Sequence, residues 1–104
     1  MIIYHIVLPN DWDKFVGHSS YQAASLETEG FIHCSNRDQM AGVIERYYND
    51  ESELVILHIE TDKLHSKLVS EPSTNDEIYP HIYGPINMDA IVTTDTIYNI
   101  QTRN

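Results

Sequence analysis

The sequence predicts an α+β fold, with a mostly antiparallel sheet and flanking helices. Apolar, β-branched and aromatic segments recur at 1–8, 31–34, 54–60 and 91–100, as expected of strands. These segments do not alternate strictly with long helices, as the strands of a doubly wound sheet do. A length of 104 residues suits one hydrophobic core, so we expect a single domain over 1–104.

Three helices are predicted from apolar spacing and capping residues. Residues 10–16 have an acidic start and the apolar spacing of a short amphipathic helix, and 25–30 offer a serine cap, two glutamates and a glycine stop. Residues 37–49 carry apolar side chains at helical spacing, after Ser35 or Asn36 as a cap. This last segment is the clearest helix in the sequence.

The second half of the chain predicts strands in different surroundings. Residues 54–60 are nearly all apolar, which predicts a strand covered on both faces at the centre of the sheet. A short strand is expected at 68–71, followed by a loop rich in turn formers at 72–76. Residues 78–85 contain two prolines, so we expect an extended segment at a sheet edge or beside a cleft.

Charge and cysteine content exclude several classes of protein. Sixteen acidic against six basic residues give a net charge of −10, which repels nucleic acids and anionic membranes. The single Cys34 forms no internal disulfide, which favours a reduced, cytoplasmic location. The sequence begins without the features of a targeting segment, and its longest apolar run, 54–57, is too short to cross a bilayer. No nucleic-acid or membrane partner is expected.

Three histidines lie in extended, aromatic segments, namely His5 in YHI, His33 in GFIHCS and His81 in PHIYGP. Because side chains alternate along a strand, His33 shares a face with Ser35, and His81 shares a face with Tyr83. A glycine and a proline follow Tyr83, where a turn lets a ligand approach the backbone. We therefore expect these five residues to line one small-molecule pocket, although a structural hydrogen bond is an equal alternative for each histidine.

The other histidines and the cysteine predict no metal site and no thiol nucleophile. His18 and His65 lie in polar loops and are expected to be solvated, while His58 is expected to be a hydrogen-bonded strand residue. The candidate ligands lack the close pairs of structural zinc sites, so no metal is predicted. Cys34 is expected to point into the core, because neighbours on a strand face opposite sides.

Two carboxylates are nearest in sequence to the histidine segments. Glu29 precedes GFIHCS and Glu71 precedes the proline-rich loop. Either can stabilise a cationic centre or act as a general acid or base. The alternative for both is a solvated surface carboxylate.

YHI, Trp12, SLETEGFIHCS, LHIE, Glu71 and PHIYGP together closely resemble domain-of-unknown-function family 952, a group of small bacterial proteins, over nearly the whole chain. That family is similar in fold to the ADP-ribosyltransferase-like proteins, which bind NAD in the cleft of a split, mostly antiparallel sheet. The resemblance implies NAD or a related nucleotide as substrate, and cleavage or transfer at an N-glycosidic bond. The alternative is a non-catalytic module that binds a small metabolite or a protein.

The resemblance also implies roles for individual residues. His5 matches a first-strand histidine that contacts the ribose on the nicotinamide side of NAD. His33 stands where the transferases carry a tyrosine that stacks on nicotinamide, and Ser35 stands where they carry a small residue. Glu71 and His81 are the candidates for the glutamate that the transferases carry late in the fold. Neither residue is a clear match for this glutamate, so the resemblance supports the fold more strongly than it supports transferase activity.

RNA 2′-phosphotransferases are similar in fold to the same proteins and hold phosphates with several arginines. This sequence has three arginines, Arg37, Arg46 and Arg103. With so few guanidinium groups and a strongly negative net charge, an RNA substrate is not expected.

Overall fold

The computed structural model describes residues 1–98, where it places eight strands and three α-helices. The strands are β1 (Ile2–Val7), β2 (Ser20–Tyr21), β3 (Ile32–His33), β4 (Glu53–Glu60), β5 (Lys67–Pro72), β6 (Ile78–Tyr83), β7 (Ile86–Asn87) and β8 (Ile91–Tyr98). The α-helices are α1 (Pro9–Asp13), α2 (Ala24–Thr28) and α3 (Met40–Tyr47). Short 3₁₀ turns occupy Arg37–Gln39, Thr61–Lys63, Thr74–Asp76 and Met88–Ala90. The predicted mixture of antiparallel sheet and few helices is confirmed.

The strands of the described region form three antiparallel sheets, ordered β1-β4-β8, β3-β6-β5 and β2-β7. As predicted, β4 lies at the centre of its sheet. Its side chains alternate between two apolar clusters, which explains the nearly continuous apolar sequence. Val55, Leu57 and Ile59 pack into the main core between the sheets, whereas Leu54 and Ile56 pack beneath α3.

The proline-rich segment was predicted at a sheet edge or beside a cleft. The edge position is wrong, because β6 is the central strand of β3-β6-β5, but β6 does lie beside a cavity, which its Tyr79 lines. The backbone geometry explains why Pro80 is tolerated in this central strand. The N–H and C=O groups of one residue in an antiparallel strand point to the same side. The Pro80 carbonyl accepts a hydrogen bond from the Cys34 N–H at 3.0 Å, so the missing N–H of Pro80 would also point to the β3 side. The β3–β6 pairing ends with His33 and His81, so the ladder needs no donor from Pro80.

The helices begin and end at other residues than the sequence predicts. Helix α1 starts at Pro9, where proline suits the first turn, and ends at Asp13. Helix α2 is preceded by Ala23, and the predicted cap Ser25 instead donates from its hydroxyl to the Phe31 carbonyl at 2.8 Å. This bond ties the start of α2 to the approach of β3.

The predicted long helix 37–49 is a 3₁₀ turn that continues into α3. Of the two candidate caps, Asn36 occupies the N-cap position, and its backbone N–H donates to the Gln39 side chain at 2.9 Å. Ser35 is unavailable as a cap because its backbone pairs with Tyr4 on β1. The sequence pattern therefore placed the helix correctly, while a tertiary contact decided its start.

The last strand, predicted at 91–100, is β8 as far as Tyr98, and its last two predicted residues lie outside the described region. Strands β2 and β7 were not predicted, since two residues are too short to show an alternating pattern. No helix in residues 1–98 is long and apolar enough to cross a membrane.

Candidate functional site

The two larger sheets separate at a split between β1 and β3. An isolated backbone pair joins these strands: the Tyr4 N–H donates to the Ser35 carbonyl at 2.9 Å, and the Ser35 N–H donates to the Tyr4 carbonyl at 2.7 Å. In a continuous antiparallel ladder, Ile6 and His33 would form the next such pair. Instead, the His5 ring nitrogen Nδ1 lies 2.6 Å from the His33 carbonyl oxygen. The imidazole thus takes the position of a backbone donor and holds the strands apart.

A cavity of about 690 Å³ lies at this split, where β1, β3 and β6 meet the helices. Its lining includes His5, residues 33–35 and the exposed pair Asp11 and Lys14, whose charged atoms are 3.4 Å apart. Much of the remaining wall is aromatic. The aromatic residues are Phe15, Tyr21, Tyr47, Tyr48 and Tyr79.

His5 is buried in this cavity wall, and its hydrogen bonds define one tautomer. The carbonyl of His33 can only accept, so Nδ1 of His5 carries the proton. Its Nε2 then accepts from the Tyr21 hydroxyl at 2.8 Å. Burial lowers the pKa of His5 to about 4, and it raises the pKa of Tyr21. Both side chains are therefore neutral near pH 7, and the Tyr21 oxygen keeps lone pairs with which to accept from a ligand.

The main chain of Ile6 faces the same cavity. Along β1, the N–H and C=O groups of Tyr4 point to β3, and those of Ile6, two residues later, point the same way. In the described part of the chain no backbone hydrogen bond joins Ile6 to β3, and Ile6 lines the cavity. The split therefore presents one backbone donor and one backbone acceptor to a ligand.

His33 connects the cavity with the outer face of β3-β6-β5. It lines the cavity, and its ring is half-exposed. Its Nε2 lies 3.1 Å from a carboxylate oxygen of Glu29. Across the strands it pairs with His81, and the two ring centroids are 5.3 Å apart. His33 therefore borders two groups of side chains.

The second group surrounds His81, which is 2% exposed. Its Nδ1 donates to Oε1 of Glu71 at 2.7 Å, and the Phe31 ring stacks on the imidazole with centroids 4.1 Å apart. Oε1 of Glu71 also accepts from the Tyr83 hydroxyl. The hydrogen bonds from Tyr83 and His81 lower the pKa of Glu71. The hydrogen bond to Glu71 in turn raises the pKa of Tyr83. Nε2 of His81 is the one buried side-chain nitrogen or oxygen in residues 1–98 without a hydrogen-bond partner.

The structure corrects the prediction that His5, His33, Ser35, His81 and Tyr83 line one pocket. His5, His33 and Ser35 line the cavity, but Glu71, His81 and Tyr83 do not. The reason is Phe31, whose ring covers His81 on the outer face of the sheet, where Tyr83 and Glu71 also lie.

The remaining histidines lie outside the cavity lining. His18 and His65 are exposed, and Nε2 of the partly covered His58 lies 2.6 Å from a carboxylate oxygen of Asp95. Cys34 is 3% exposed, and burial raises the pKa of its thiol, so it is not an activated nucleophile. In the region that the structure describes, no three His, Cys, Asp or Glu side chains are grouped to hold a metal ion.

Sequence reasoning missed two contributors to the site, Tyr21 and the Ile6 main chain. Tyr21 lies between polar and small residues, where no pattern marks it. Backbone groups at a split in a sheet depend on which strands separate, and that is a property of tertiary structure. The one sequence feature that could have drawn attention to the Ile6 main chain is the neighbouring His5, a polar residue within an apolar strand.

A family profile and the solved structures of one bacterial protein match the chain. The profile described as "Protein of unknown function (DUF952)" matches residues 6–94. The crystal structure of CC0527 from Caulobacter crescentus is similar with a TM-score of 0.82 and 25% identity, over 92% of this chain and 85% of that chain. The crystal structure of a CC0527 double mutant has a TM-score of 0.82 and 24% identity, over 92% of this chain and 85% of that chain. The solution NMR structure of CC0527 has a TM-score of 0.77 and 25% identity, over 90% of this chain and 82% of that chain. No curated protein matches the chain significantly.

Proposed function

The chain belongs to the DUF952 family of proteins of unknown function, and we propose that its split binds NAD or a related nicotinamide nucleotide. The observation that carries the proposal is the free backbone edge of Ile6 beside the His5–Tyr21 pair. A carboxamide has a donor and an acceptor on one planar group, so it can pair with this edge as a neighbouring strand would. In this proposal the Tyr21 oxygen accepts a further hydrogen bond from the ligand.

The cavity walls support a flat, ring-bearing ligand. Aromatic residues from the segment after α1, from β2, from the end of α3 and from β6 line it, and such side chains stack favourably on a nicotinamide or purine ring. A volume of about 690 Å³ is within the range of small-molecule and cofactor sites. The neutral state of His5 matches recognition of an uncharged group, because it presents no charge that a ligand must neutralise.

A second candidate function is cleavage of the N-glycosidic bond of the bound nucleotide, and the His33–Glu29 contact favours it. Breaking this bond leaves a cationic, oxocarbenium-like ribose that a carboxylate stabilises, while water adds to the anomeric carbon and nicotinamide leaves. Glu29 is bonded to a residue that lines the cavity, whereas the Asp11 carboxylate in the lining is paired with Lys14. Glu71 and His81 have no contact with the ligand in this proposal.

The experiment is a thermal-shift series with NAD, nicotinamide mononucleotide and nicotinamide, and with AMP as a ligand that lacks the carboxamide. A ligand at 100 times its Kd stabilises the folded state by about 2.7 kcal/mol. We expect the three carboxamide ligands to raise Tm and AMP to raise it less. Equal shifts with AMP, or no shift with any of the four, would contradict nicotinamide recognition and favour a module for another metabolite or a protein.

Chromatographic detection of free nicotinamide after incubation with NAD separates binding from cleavage. Glu29→Gln is the diagnostic variant, because it removes the carboxylate charge while keeping a similar shape. Nicotinamide release that the variant abolishes supports cleavage. Binding without release by the natural sequence leaves recognition as the function and rejects the second candidate.

A further inference from the structure

The cavity has a second polar end, formed by α3 and the segment between β5 and β6. There the Arg46 guanidinium lies over the Tyr47 ring, 5.7 Å from its centroid, and its Nη1 donates to the Tyr79 hydroxyl at 3.4 Å. The Tyr47 hydroxyl is 2.6 Å from Oγ1 of Thr74. Tyr47, Thr74, Tyr79 and Ser73 all line the cavity. One guanidinium and several hydroxyl groups therefore meet at this end.

Charge distinguishes this end from the rest of the cavity wall. The lining residue Lys14 is paired with Asp11, so the two charges offset each other. Arg46 has no carboxylate within 4.0 Å in the described part of the chain. In residues 1–98, Arg37, Lys63 and Lys67 also lack a carboxylate within 4.0 Å. Arg46 differs from them because its guanidinium contacts the cavity-lining Tyr47 and Tyr79. Apart from the hydrogen bonds to tyrosine hydroxyls, such as that from Nη1 to Tyr79, the N–H groups of the Arg46 guanidinium are available to a ligand.

We propose that this end is a phosphate subsite in which Arg46 is the specificity-determining residue. The inference rests on the proposed function, and it narrows the ligand class to phosphorylated nicotinamide nucleotides. A guanidinium presents a planar fork of donors that matches two phosphate oxygens, and hydroxyls satisfy the third. The partial negative charge at the C-terminus of α3 is smaller than the full charge of the guanidinium, so a phosphate is still attracted.

The test compares two ligands that differ only by the phosphate, nicotinamide mononucleotide and nicotinamide riboside. Calorimetric Kd values are measured for the natural sequence, for Arg46→Gln and for the control Arg37→Gln. Both substitutions remove one positive charge from an exposed side chain outside the cavity lining. Arg46 contacts the lining residues Tyr47 and Tyr79, whereas Arg37 has no hydrogen bond or ring contact with either of them. Because both sites are exposed, both variants should keep the parent Tm and circular dichroism spectrum.

We expect the natural sequence to bind the mononucleotide at least about tenfold more tightly than the riboside, as a charge-assisted contact with phosphate allows. Arg46→Gln should remove this preference while the Kd of the riboside stays within about twofold, and Arg37→Gln should keep it. Equal affinity of the two ligands for the natural sequence, or equal weakening of both by Arg46→Gln, overturns the phosphate subsite but leaves nicotinamide recognition intact. Failure of both ligands to bind rejects the proposed function, and the subsite with it.

Discussion

Nδ1 of His5 donates to the backbone carbonyl of His33 at 2.6 Å, a bond that a backbone amide would make in an unbroken sheet. The ladder between β1 and β3 ends one residue earlier, at the Tyr4–Ser35 pair. An imidazole is larger than a peptide N–H, so the strands separate beyond this point and the cavity begins. One side chain therefore satisfies a partly buried backbone acceptor and also creates the candidate site.

Replacing His5 with Ala should destabilise the fold markedly. The change leaves the His33 carbonyl and the Tyr21 hydroxyl without their partner and removes a buried ring, for a combined cost of about 2–4 kcal/mol. Urea unfolding measures this cost. The matched control is His18→Ala, at an exposed histidine, which should cost less than about 0.5 kcal/mol. Similar costs for the two variants would show that the His5 bonds contribute little to stability.

The low pKa of His5 predicts a specific pH dependence. Its pKa is about 4 in the folded state and about 6.5 when unfolded, so the unfolded chain binds more protons between these values. The stabilisation is therefore complete above about pH 6.5 and is lost as the pH falls toward 4. His5→Gln removes the titrating group and keeps an N–H donor. The stability difference between the natural sequence and this variant should be about 2–3 kcal/mol smaller at pH 4.5 than at pH 8. A constant difference would contradict the low pKa.

Glu71 and Glu29 each contact a histidine, but their removal should have unequal effects. Within residues 1–98, Glu71 is the sole hydrogen-bond partner of the buried His81, so Glu71→Ala leaves an imidazole unsatisfied in the protein interior. Glu29 and His33 are both about half-exposed, and such pairs contribute about 0–1 kcal/mol. Melting temperatures at pH 7 should fall more for Glu71→Ala than for Glu29→Ala. The reverse order would contradict a structural role for the Glu71–His81 contact.

Neighbouring positions 33 and 34 should separate ligand affinity from stability. His33→Ala removes an exposed ring but keeps the carbonyl that binds His5, so Tm should change little while nicotinamide mononucleotide binds more weakly. Cys34→Tyr overfills a position that is 3% exposed, which typically costs about 1–3 kcal/mol. Paired Tm and Kd measurements decide the matter. If His33→Ala unfolds the protein as readily as Cys34→Tyr and leaves the Kd unchanged, His33 is not a ligand residue.

The sequence predicted those parts of the fold that depend on local patterns. The apolar run of β4 indicated its central place, and the helical spacing after Asn36 located α3. The position of β6 was missed, because a proline is compatible with a central strand only where the neighbouring ladder ends, as it does at His33. Where β3 ends depends on contacts between residues far apart in sequence.

Of the candidate site too, only the part that depends on local patterns was predicted. His5, His33 and Ser35 were identified from their strand segments, and they do line the cavity. Alternation along β6 also placed His81 and Tyr83 on one face, but it did not reveal that Phe31 stacks over His81. Contacts between side chains of different strands depend on how the strands are aligned, and alternation along each strand does not reveal that alignment.

Nucleotide binding in the split is tested at its proposed contact by the backbone amide signal of Ile6, followed by ¹H–¹⁵N NMR during titration with nicotinamide mononucleotide. We expect a saturable shift of the Ile6 amide, because its N–H pairs with the carboxamide in the split, together with shifts around Tyr21. The amides of Lys67 and Val69 on β5, outside the cavity lining, should stay unchanged. Saturable shifts on β5 without a shift at Ile6, or no shifts at all, would contradict nucleotide binding in the split.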